Sequence, residues 1–209
     1  MERKEQIYIV TELEPGIYRI GNSMVYLDLI VGSHHALLFD TGYGFGSLKD
    51  VVEGITNKPL YVVNSHGHVD HACGNQQFGG AYIHELDMTL AVEHNGREMR
   101  MAELETAEVP LDFDMEAYLS LGTGELTPVG EGYAFDLGGL TLEVIHLPGH
   151  TPGSIALLDR KNRVLISGDP IQDGRIFMFG RFRNMPDYIR SLEHLRAWDG
   201  QFDEIWPSH

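Results

Sequence analysis

Apolar residues in the first third of the chain occur in short runs and alternations that are typical of β-strands. These runs are rich in Ile, Val, Leu and Tyr and are separated by turns that contain glycine. They predict strands at Gln6–Thr11, Gly16–Ile20, Met24–Val31, His35–Phe39 and Leu60–Val63. Ahead of the last strand, apolar residues recur at helical spacing and predict a helix over Ser47–Ile55. The apolar face of that helix is formed by Leu48, Val51, Val52 and Ile55.

The second half of the chain is first helical and then returns to strands. The methionine-rich, acidic segment Glu85–Leu121 predicts a helix-loop-helix. Further strands are predicted at Leu126–Val129, Leu140–His146, Ser154–Asp159, Arg163–Ser167 and Glu204–Trp206. Before the last of these, Pro186–Trp198 predicts a helix with Tyr188, Leu192 and Leu195 on its apolar side. The order of elements predicts an α+β protein in which two sheets pack together with helices outside.

Length and composition narrow the classes of protein to consider. No linker or short repeat divides the 209 residues, so we expect a single domain over residues 1–209. The 31 acidic against 15 basic residues give a formal net charge of -16, which repels phosphate backbones and disfavours a nucleic-acid partner. The single cysteine, Cys73, excludes an intrachain disulfide and fits a reducing compartment.

The sequence has no signal-peptide pattern and no apolar run of bilayer length. We therefore expect a cytoplasmic enzyme that acts on a small molecule and has neither a membrane nor a nucleic-acid partner. The sequence leaves the oligomeric state open.

The segment that carries the chemistry directly follows the strand Leu60–Val63. It reads Asn64-Ser65-His66-Gly67-His68-Val69-Asp70-His71 and contains three imidazoles and one carboxylate within six positions. Imidazole nitrogen and carboxylate oxygen are the ligands expected for zinc and similar ions. A loop that leaves a rigid strand can turn alternate side chains toward one point. The pattern therefore predicts a metal site rather than a polar surface loop.

Three more residues extend the possible ligand set, and each of them follows a predicted strand. His150 lies in Gly149-His150-Thr151-Pro152-Gly153, Asp169 follows Gly168, and His209 follows Pro207-Ser208. Each one alone is more typical of an ordinary loop residue. Because all three stand at the C-terminal ends of strands, loops can bring them together with the first motif.

These motifs together resemble the metallo-β-lactamase superfamily. The resemblance covers nearly the whole chain, since Asp40-Thr41-Gly42 also matches. It implies a four-layer αβ/βα sandwich of two mixed β-sheets flanked by helices, with two metal ions at one rim. The implied ligands of the first metal are His66, His68 and His150. The implied ligands of the second are Asp70, His71 and His209, with Asp169 bridging the two.

The resemblance further implies a hydrolase in which two divalent ions supply a hydroxide nucleophile. Zinc is the expected metal, with manganese or iron as alternatives. Asp70 is the residue expected to orient the nucleophile and to pass its proton to the leaving group. Asp40 is a candidate to support a ligand imidazole, and a turn-capping role is the equal alternative. For Cys73 we expect packing at the start of a helix rather than catalysis.

Departures from known subfamilies narrow the reaction. The cysteine-using β-lactamases carry Cys where this chain has Asp169, and the flavodiiron relatives carry Glu where it has His68. Gln172 stands where acyl-homoserine lactonases carry Tyr. We expect cleavage of a small ester, thioester or lactone. The alternatives are a mononuclear iron dioxygenase of the persulfide dioxygenase kind, a phosphodiester hydrolase, and a metal-binding scaffold without catalysis.

The segment Gln172–Asn184 is a candidate wall of the substrate pocket because it interleaves arginines with aromatic residues. Arginine heads among aromatic rings suit a small anionic ligand. The substrate-binding candidates are Arg175, Phe177, Phe179 and Arg181. A loop with core-facing rings and solvated arginines is the alternative.

Overall fold

Short strands and helices follow one another throughout residues 1–22 and 25–209, the part of the chain that the computed structural model describes. The strands are β1 Glu2–Lys4, β2 Tyr8–Glu14, β3 Ile17–Asn22, β4 Val25–Val31, β5 Ala36–Phe39, β6 Leu60–Val63, β7 Gly80–His84, β8 Glu108–Pro110, β9 Glu125–Val129, β10 Ala134–Asp136, β11 Thr141–His146, β12 Ile155–Asp159, β13 Val164–Gly168 and β14 Glu204–Pro207. The helices are α1 Leu48–Ile55, α2 Val69–Ala72, α3 Met88–His94, α4 Arg97–Glu103, α5 Met115–Leu119 and α6 Met185–Leu195. Single 3₁₀ turns are found at Asn75–Phe78, Glu85–Asp87 and Arg196–Trp198. Met24, the first residue of one predicted strand, lies outside the described residues.

Two mixed sheets form the centre of the fold, as the order of elements predicts. The first has the strand order β2-β3-β4-β5-β6-β7-β9, antiparallel up to β5 and parallel from β5 onward. The second has the order β10-β11-β12-β13-β14, antiparallel except for the parallel pair β13 and β14. Because parallel neighbours end at the same rim of a sheet, the loops that leave them can share one site.

Period-two alternation in the strands divides the apolar side chains between an inner and an outer layer. In β5, Leu37 and Phe39 face the core between the sheets, whereas Ala36 and Leu38 face the cluster that includes α1. The second sheet contributes Leu142, Val144, Leu157 and Ile166 to the inner core. Its outer face packs Ile145, Leu158 and Leu165 against Leu195 of α6. The layers are therefore helix, sheet, sheet and helix.

The two amphipathic helices begin at capped residues. Ser47 caps α1 by accepting from the backbone N–H of Asp50, and Leu48 and Val52 of that helix are buried. Asn184 caps α6 in the same way. In α6 the predicted apolar face is wrong at Leu192, which is exposed. The buried residues of α6 are Ser191 and Leu195, which are four positions apart and share one helical face.

The segment Glu85–Leu121 differs from the predicted helix-loop-helix, because it contains three short helices and the strand β8. Strand β8 pairs in parallel with β1, whose residues lie more than a hundred positions earlier in the chain. The hydrogen bonds that hold β8 extended are therefore non-local, so periodicity within the segment cannot predict them.

Candidate metal centre

The side chains of metal-binding type meet at one rim of the two sheets. The residues that meet there are His66, His68, Asp70, His71, His150, Asp169 and His209. The residues from His66 to His71 follow β6 directly, and two of them, Asp70 and His71, lie on the single turn of α2. The other three follow β11, β13 and β14. Both sheets therefore supply ligand candidates, and each candidate leaves a strand through a short loop.

Three imidazoles point ring nitrogens at one place. The Nε2 of His66 lies 2.7 Å from the Nδ1 of His68, and the Nε2 of His150 lies 3.1 Å from that same Nδ1. We call His66, His68 and His150 the triple-imidazole set. Oδ2 of Asp169 lies 3.3 Å from the Nε2 of His150 and borders this set.

A second group of donors lies beside the first. The Nε2 of His209 is 3.4 Å from the Nε2 of His71 and 3.4 Å from Oδ2 of Asp70. We call Asp70, His71 and His209 the Asp70 set. Oδ1 of Asp169 lies 3.2 Å from the Nε2 of His71 and 3.4 Å from that of His209. Asp169 thus presents one oxygen to each set, which is the position of a bridging ligand.

The spacing and chemistry of these donors fit a pair of divalent ions. Ligand atoms about 2.0–2.1 Å from one tetrahedral zinc ion lie about 3.3 Å from each other. Except for the 2.7 Å pair, the separations given above for the two sets agree with that value. Oδ1 of Asp169 is buried and makes no well-aligned hydrogen bond among the described residues, although the Nε2 of His71 lies 3.2 Å away. A buried carboxylate oxygen with only ion-pair contacts to imidazoles is suited to bind a cation. Nitrogen and carboxylate oxygen donors suit zinc, manganese and iron.

Asp40, at the end of β5, orients two of the imidazoles. Its Oδ2 accepts from the Nδ1 of His71 at 2.8 Å and from the hydroxyl of Ser65 at 2.7 Å. Because that hydroxyl donates to Asp40, it is free to accept from the Nδ1 of His66, 2.9 Å away. One fully buried carboxylate therefore leaves the Nε2 of both rings directed at the centre. Asp40 itself has a φ of 67°, in the left-handed region that an ordinary residue adopts at a cost.

Asp87 ties together the two loops that carry the triple-imidazole set. Its Oδ2 accepts from the N–H of Gly67 at 2.8 Å and from the hydroxyl of Thr151 at 2.7 Å. Its Oδ1 accepts from the N–H of Gly153 at 2.6 Å. A Cβ at Gly67 would lie 2.7 Å from the backbone nitrogen of Ala91, so only glycine lets this loop approach α3 so closely. Sequence reasoning missed Asp87, because it belongs to no motif.

Burial and charge divide the imidazoles into two kinds. Burial lowers the pKa of His66 well below its ordinary value, lowers that of His68 to about 2, and lowers that of His150. These rings are neutral at pH 7, which is the state that binds metals. Burial also acts to lower the pKa of His71, but the charge of Asp70 and other carboxylates outweighs it and raises that pKa well above the ordinary value. His71 therefore carries a proton in the metal-free protein.

The two carboxylates of the centre are ionised. Burial acts to raise the pKa of Asp70 and of Asp169, but the charge of His71 outweighs it and lowers both. The side chains of Asp70 and His209 are 21% and 24% exposed, whereas His71 is fully buried. The centre therefore opens to solvent on the side of Asp70, and a substrate can approach there.

The four substrate-binding candidates lie along the surface of the loop before α6. Phe177 and Phe179 are exposed, and their rings meet edge to face at 5.6 Å. Arg175 is exposed, and Arg181 pairs with Glu93 of α3 at 3.3 Å. The backbone carbonyl of Phe177 accepts from the Nδ1 of His150 at 3.1 Å, so this loop contacts the centre through its main chain. Substrate binding by the four side chains stays a prediction.

Cys73 and His94 lie behind the ligands. The predicted position of Cys73 at a helix start is wrong, because it is the residue at the C-terminal end of α2. It is fully buried, its thiol contacts the carbonyl of His94 at 3.5 Å, and burial raises its pKa to about 12. The His94 ring stacks on His68 at 5.0 Å, a contact that no motif indicated.

The two-sheet sandwich and the donors at its rim define a class of metal-binding proteins, and sequence comparison assigns the family. The profile of the Metallo-beta-lactamase superfamily matches residues 19–199, so the chain belongs to this superfamily. A curated relative, the acyl-coenzyme A thioesterase MBLAC2 of Gallus gallus, is 28% identical over an alignment of 211 positions that covers 94% of this chain and 76% of the relative. Family and relative together support the hydrolase class.

Solved structures agree with the fold. The metallo-beta-lactamase family protein TTHA1429 of Thermus thermophilus is 22% identical, has a TM-score of 0.66, and is matched over 95% of this chain and 74% of that chain. TTHA1623, solved in a di-iron-bound form, is 22% identical with a TM-score of 0.65, over 96% of this chain and 91% of that one.

Within the described residues, no helix combines the length and apolar character needed to cross a bilayer.

Proposed function

We propose that this chain is a metal-dependent hydrolase that cleaves a small thioester, and related esters or lactones, by attack of water on the carbonyl carbon. The observation that carries the proposal is the convergence of two complete donor sets that share Asp169. The similarity to a protein named acyl-coenzyme A thioesterase favours the thioester among the three bond types.

The donor sets divide the metal-binding role between them. The triple-imidazole set and the Asp70 set would each hold one divalent ion, zinc by preference and manganese or iron as alternatives. When bound, two such ions lower the pKa of water toward neutrality and polarise a substrate carbonyl. The di-iron form of TTHA1623 supports a pair of ions in a protein of this fold.

Asp70 is the residue that we expect to move the proton. It is ionised, it is partly exposed, and it lies at the open side of the centre. In thioester cleavage the new C–O bond forms as the C–S bond breaks, and the products are a carboxylic acid and a thiol. Asp70 accepts the proton that the attacking water loses and passes it to the departing sulfur.

A substrate panel on the zinc-loaded protein tests the proposal. We expect turnover of a short acyl thioester, slower turnover of the matched oxygen ester and lactone, and none of a phosphodiester. Removal of metal with a chelator should abolish hydrolysis, and zinc should restore it. Turnover of the thioester by metal-free protein would reject the proposal.

Asp70→Asn tests Asp70 both as the proton carrier and as a ligand of the second ion. The variant should lower kcat by about 10²–10⁴-fold, the usual contribution of a general acid–base group, while the triple-imidazole set keeps its ion. Asp159→Asn is the matched control, because Asp159 is a buried carboxylate that accepts from Asn162 in a turn away from the centre. A wild-type rate in Asp70→Asn would remove Asp70 from the mechanism.

The mononuclear iron dioxygenase is the second candidate, and elemental analysis separates it from the hydrolase. The completeness of the Asp70 set favours two ions over one. Two ions per chain without oxygen uptake support the hydrolase. One iron per chain with oxygen uptake on a persulfide would replace the hydrolase by the dioxygenase.

A further inference from the structure

The segment 177–184 is fastened across the triple-imidazole set from two sides. On one side, the carbonyl of Phe177 accepts from His150, and the N–H of Asn184 donates to the carbonyl of Gly149 at 2.9 Å. On the other side, Arg181 pairs with Glu93 of α3, the residue before the ring that stacks on His68. These attachments hold the segment beside the metal centre, although Phe177 and Phe179 remain exposed to solvent.

Arg183 occupies this segment directly before Asn184. Its guanidinium is half-buried, and its Nε is buried without a hydrogen-bond partner among the described residues. Its Nη1 donates to the carbonyl of Arg181 at 3.3 Å. Across residues 1–22 and 25–209 no carboxylate lies within ion-pair distance of Arg183, whereas Arg181 and Arg190 each have one. A guanidinium presents several donors in a planar fork, and the described residues accept a hydrogen bond from Nη1 but none from Nε.

The backbone holds Arg183 in this position at a cost. Phe182, the preceding residue, has a φ of 73°, a left-handed conformation that is unfavourable for a bulky side chain. Such outliers persist where the surrounding contacts impose them, and they concentrate at binding sites. Here the strained residue directly precedes Arg183, whose Nε is buried.

The charge of Arg183 acts on the centre. Burial is the largest cause of the lowered pKa of His94, His68 and His150. The positive charge of Arg183 lowers the pKa of each of these three residues further. The carboxylates Asp169 and Asp70 act in turn on Arg183, although none of them pairs with it. The guanidinium of Arg183 is therefore near enough to the centre to act on it electrostatically, and it has no ion-pair partner among residues 1–22 and 25–209.

We propose that Arg183 binds an oxyanion of the substrate, a carboxylate or a phosphate, beside the metal centre. The proposal rests on the proposed function for the place of the substrate, since it adds an anionic group to the thioester. A planar guanidinium suits bidentate binding of either oxyanion. Arg183 is thus a residue that determines specificity, and it differs from the four candidates that the sequence pattern singled out.

Direct binding tests this role without any turnover. Inorganic phosphate and acetate are titrated calorimetrically into zinc-loaded wild type, Arg183→Gln and Arg190→Gln. Arg190 is the matched control, because it is an exposed arginine on α6 that pairs with Asp187. We expect Arg183→Gln to weaken one or both anions by about tenfold or more, the usual effect of a hydrogen bond to a charged group. Equal affinity in Arg183→Gln and wild type, or equal losses in both variants, would overturn the proposal.

Kinetics on matched thioesters identify the anion. The acetyl thioesters of mercaptoethanol, mercaptopropionate and mercaptoethyl phosphate differ in whether they carry no charge, a carboxylate or a phosphate. Arg183→Gln should raise KM for the charged substrates and leave the neutral one unchanged, and Arg183→Lys should recover part of the loss. The same KM change for the neutral substrate would reject the role of Arg183. Absence of turnover with all three would reject the proposed function alone, because the anion titration still decides the role of Arg183.

Discussion

At the scale of single residues, a carboxylate outside the two donor sets orients the ligands of the centre. Asp40 accepts from His71 directly and reaches His66 through Ser65, so one side chain fixes the orientation of one ligand in each donor set. Hydrogen bonds of this kind raise the basicity of ligand imidazoles and prevent their rotation. The loss of Asp40 should therefore lower metal affinity directly, and should lower the rate of hydrolysis only through the lost metal.

We predict that Asp40→Asn lowers zinc affinity by about 10–100-fold, because the amide replaces one of the two accepting oxygens by an NH2 group. That group then faces either the N–H of Ser65 or the donors from the Ser65 hydroxyl and His71. Affinity is measured by competition with a chromophoric chelator, and metal content by elemental analysis. Asp159→Asn should keep wild-type affinity. Wild-type zinc affinity in Asp40→Asn would mean that Asp40 serves only the turn after β5.

The opposite pKa shifts of the two donor sets lead to a prediction about protons. The pKa of His66, His68 and His150 is lowered by burial, so these rings have no proton to lose at pH 7. The pKa of His71 and that of His209 are both raised, so an ion entering the Asp70 set must displace protons from these two rings. Affinity at the Asp70 set should fall as the pH falls below the pKa of His71, while affinity at the triple-imidazole set holds to lower pH.

Zinc binding at the Asp70 set should therefore release protons to the buffer. Calorimetry in buffers of different ionisation enthalpy measures the number of protons released. We expect proton release on zinc binding at the Asp70 set near pH 7, from His71 and His209, and none from the imidazoles of the triple-imidazole set. In Asp70→Asn, which weakens the second set, the proton-releasing event should weaken as well. Release of equal numbers of protons by both ions would contradict the assignment of the protons to the imidazoles of the Asp70 set.

At the scale of elements, a single 3₁₀ turn stabilises half of the centre. The turn Glu85–Asp87 ends in the buried carboxylate of Asp87, which accepts from the loop of His66 and His68 and from the loop of His150. These two loops leave strands of different sheets. Asp87 therefore holds them at a fixed separation independently of any metal.

We predict that Asp87→Ala lowers the free energy of unfolding by about 2–4 kcal/mol, because it leaves several buried donors without an acceptor. Zinc affinity at the triple-imidazole set should fall with it. Asp114→Ala is the control, since Asp114 caps α5 at the surface and its loss should cost about 1 kcal/mol. Urea unfolding measures both values, and equal small losses would show that Asp87 contributes no more to stability than a surface cap.

The elements also show what the sequence can and cannot reveal. The ligand candidates were predictable, because spacing within His66–His71 and the strand ends at His150 and Asp169 are local signals. Strand β8 and the link from Asp87 to Gly153 depend on partners far away in the chain. Local periodicity contains no information on such partners, so tertiary contacts decide them.

At the scale of the whole molecule, the centre joins the two sheets. The loop after β6 in the first sheet supplies His66, His68, Asp70 and His71, and the second sheet supplies His150, Asp169 and His209. A backbone hydrogen bond from the N–H of Tyr26 to the carbonyl of Ser208, 2.8 Å long, also connects β4 with the end of β14. The donor sets are therefore complete only when the sheets are packed together.

Metal binding should consequently stabilise the packing of the sheets. A ligand that binds only the folded state at a thousandfold excess over its Kd adds about 4 kcal/mol of stability. We predict that zinc raises Tm and that a chelator reverses the rise. His209→Ala should bind about one ion instead of two and show a smaller rise in Tm, because Asp70 and His71 on the first sheet lose their ligand partner from the second. Ser208→Ala, which keeps the backbone bond to Tyr26, should bind two ions and show the full rise. Two ions per chain and an undiminished rise in His209→Ala would mean that His209 is not a metal ligand and that the other donors alone connect the sheets.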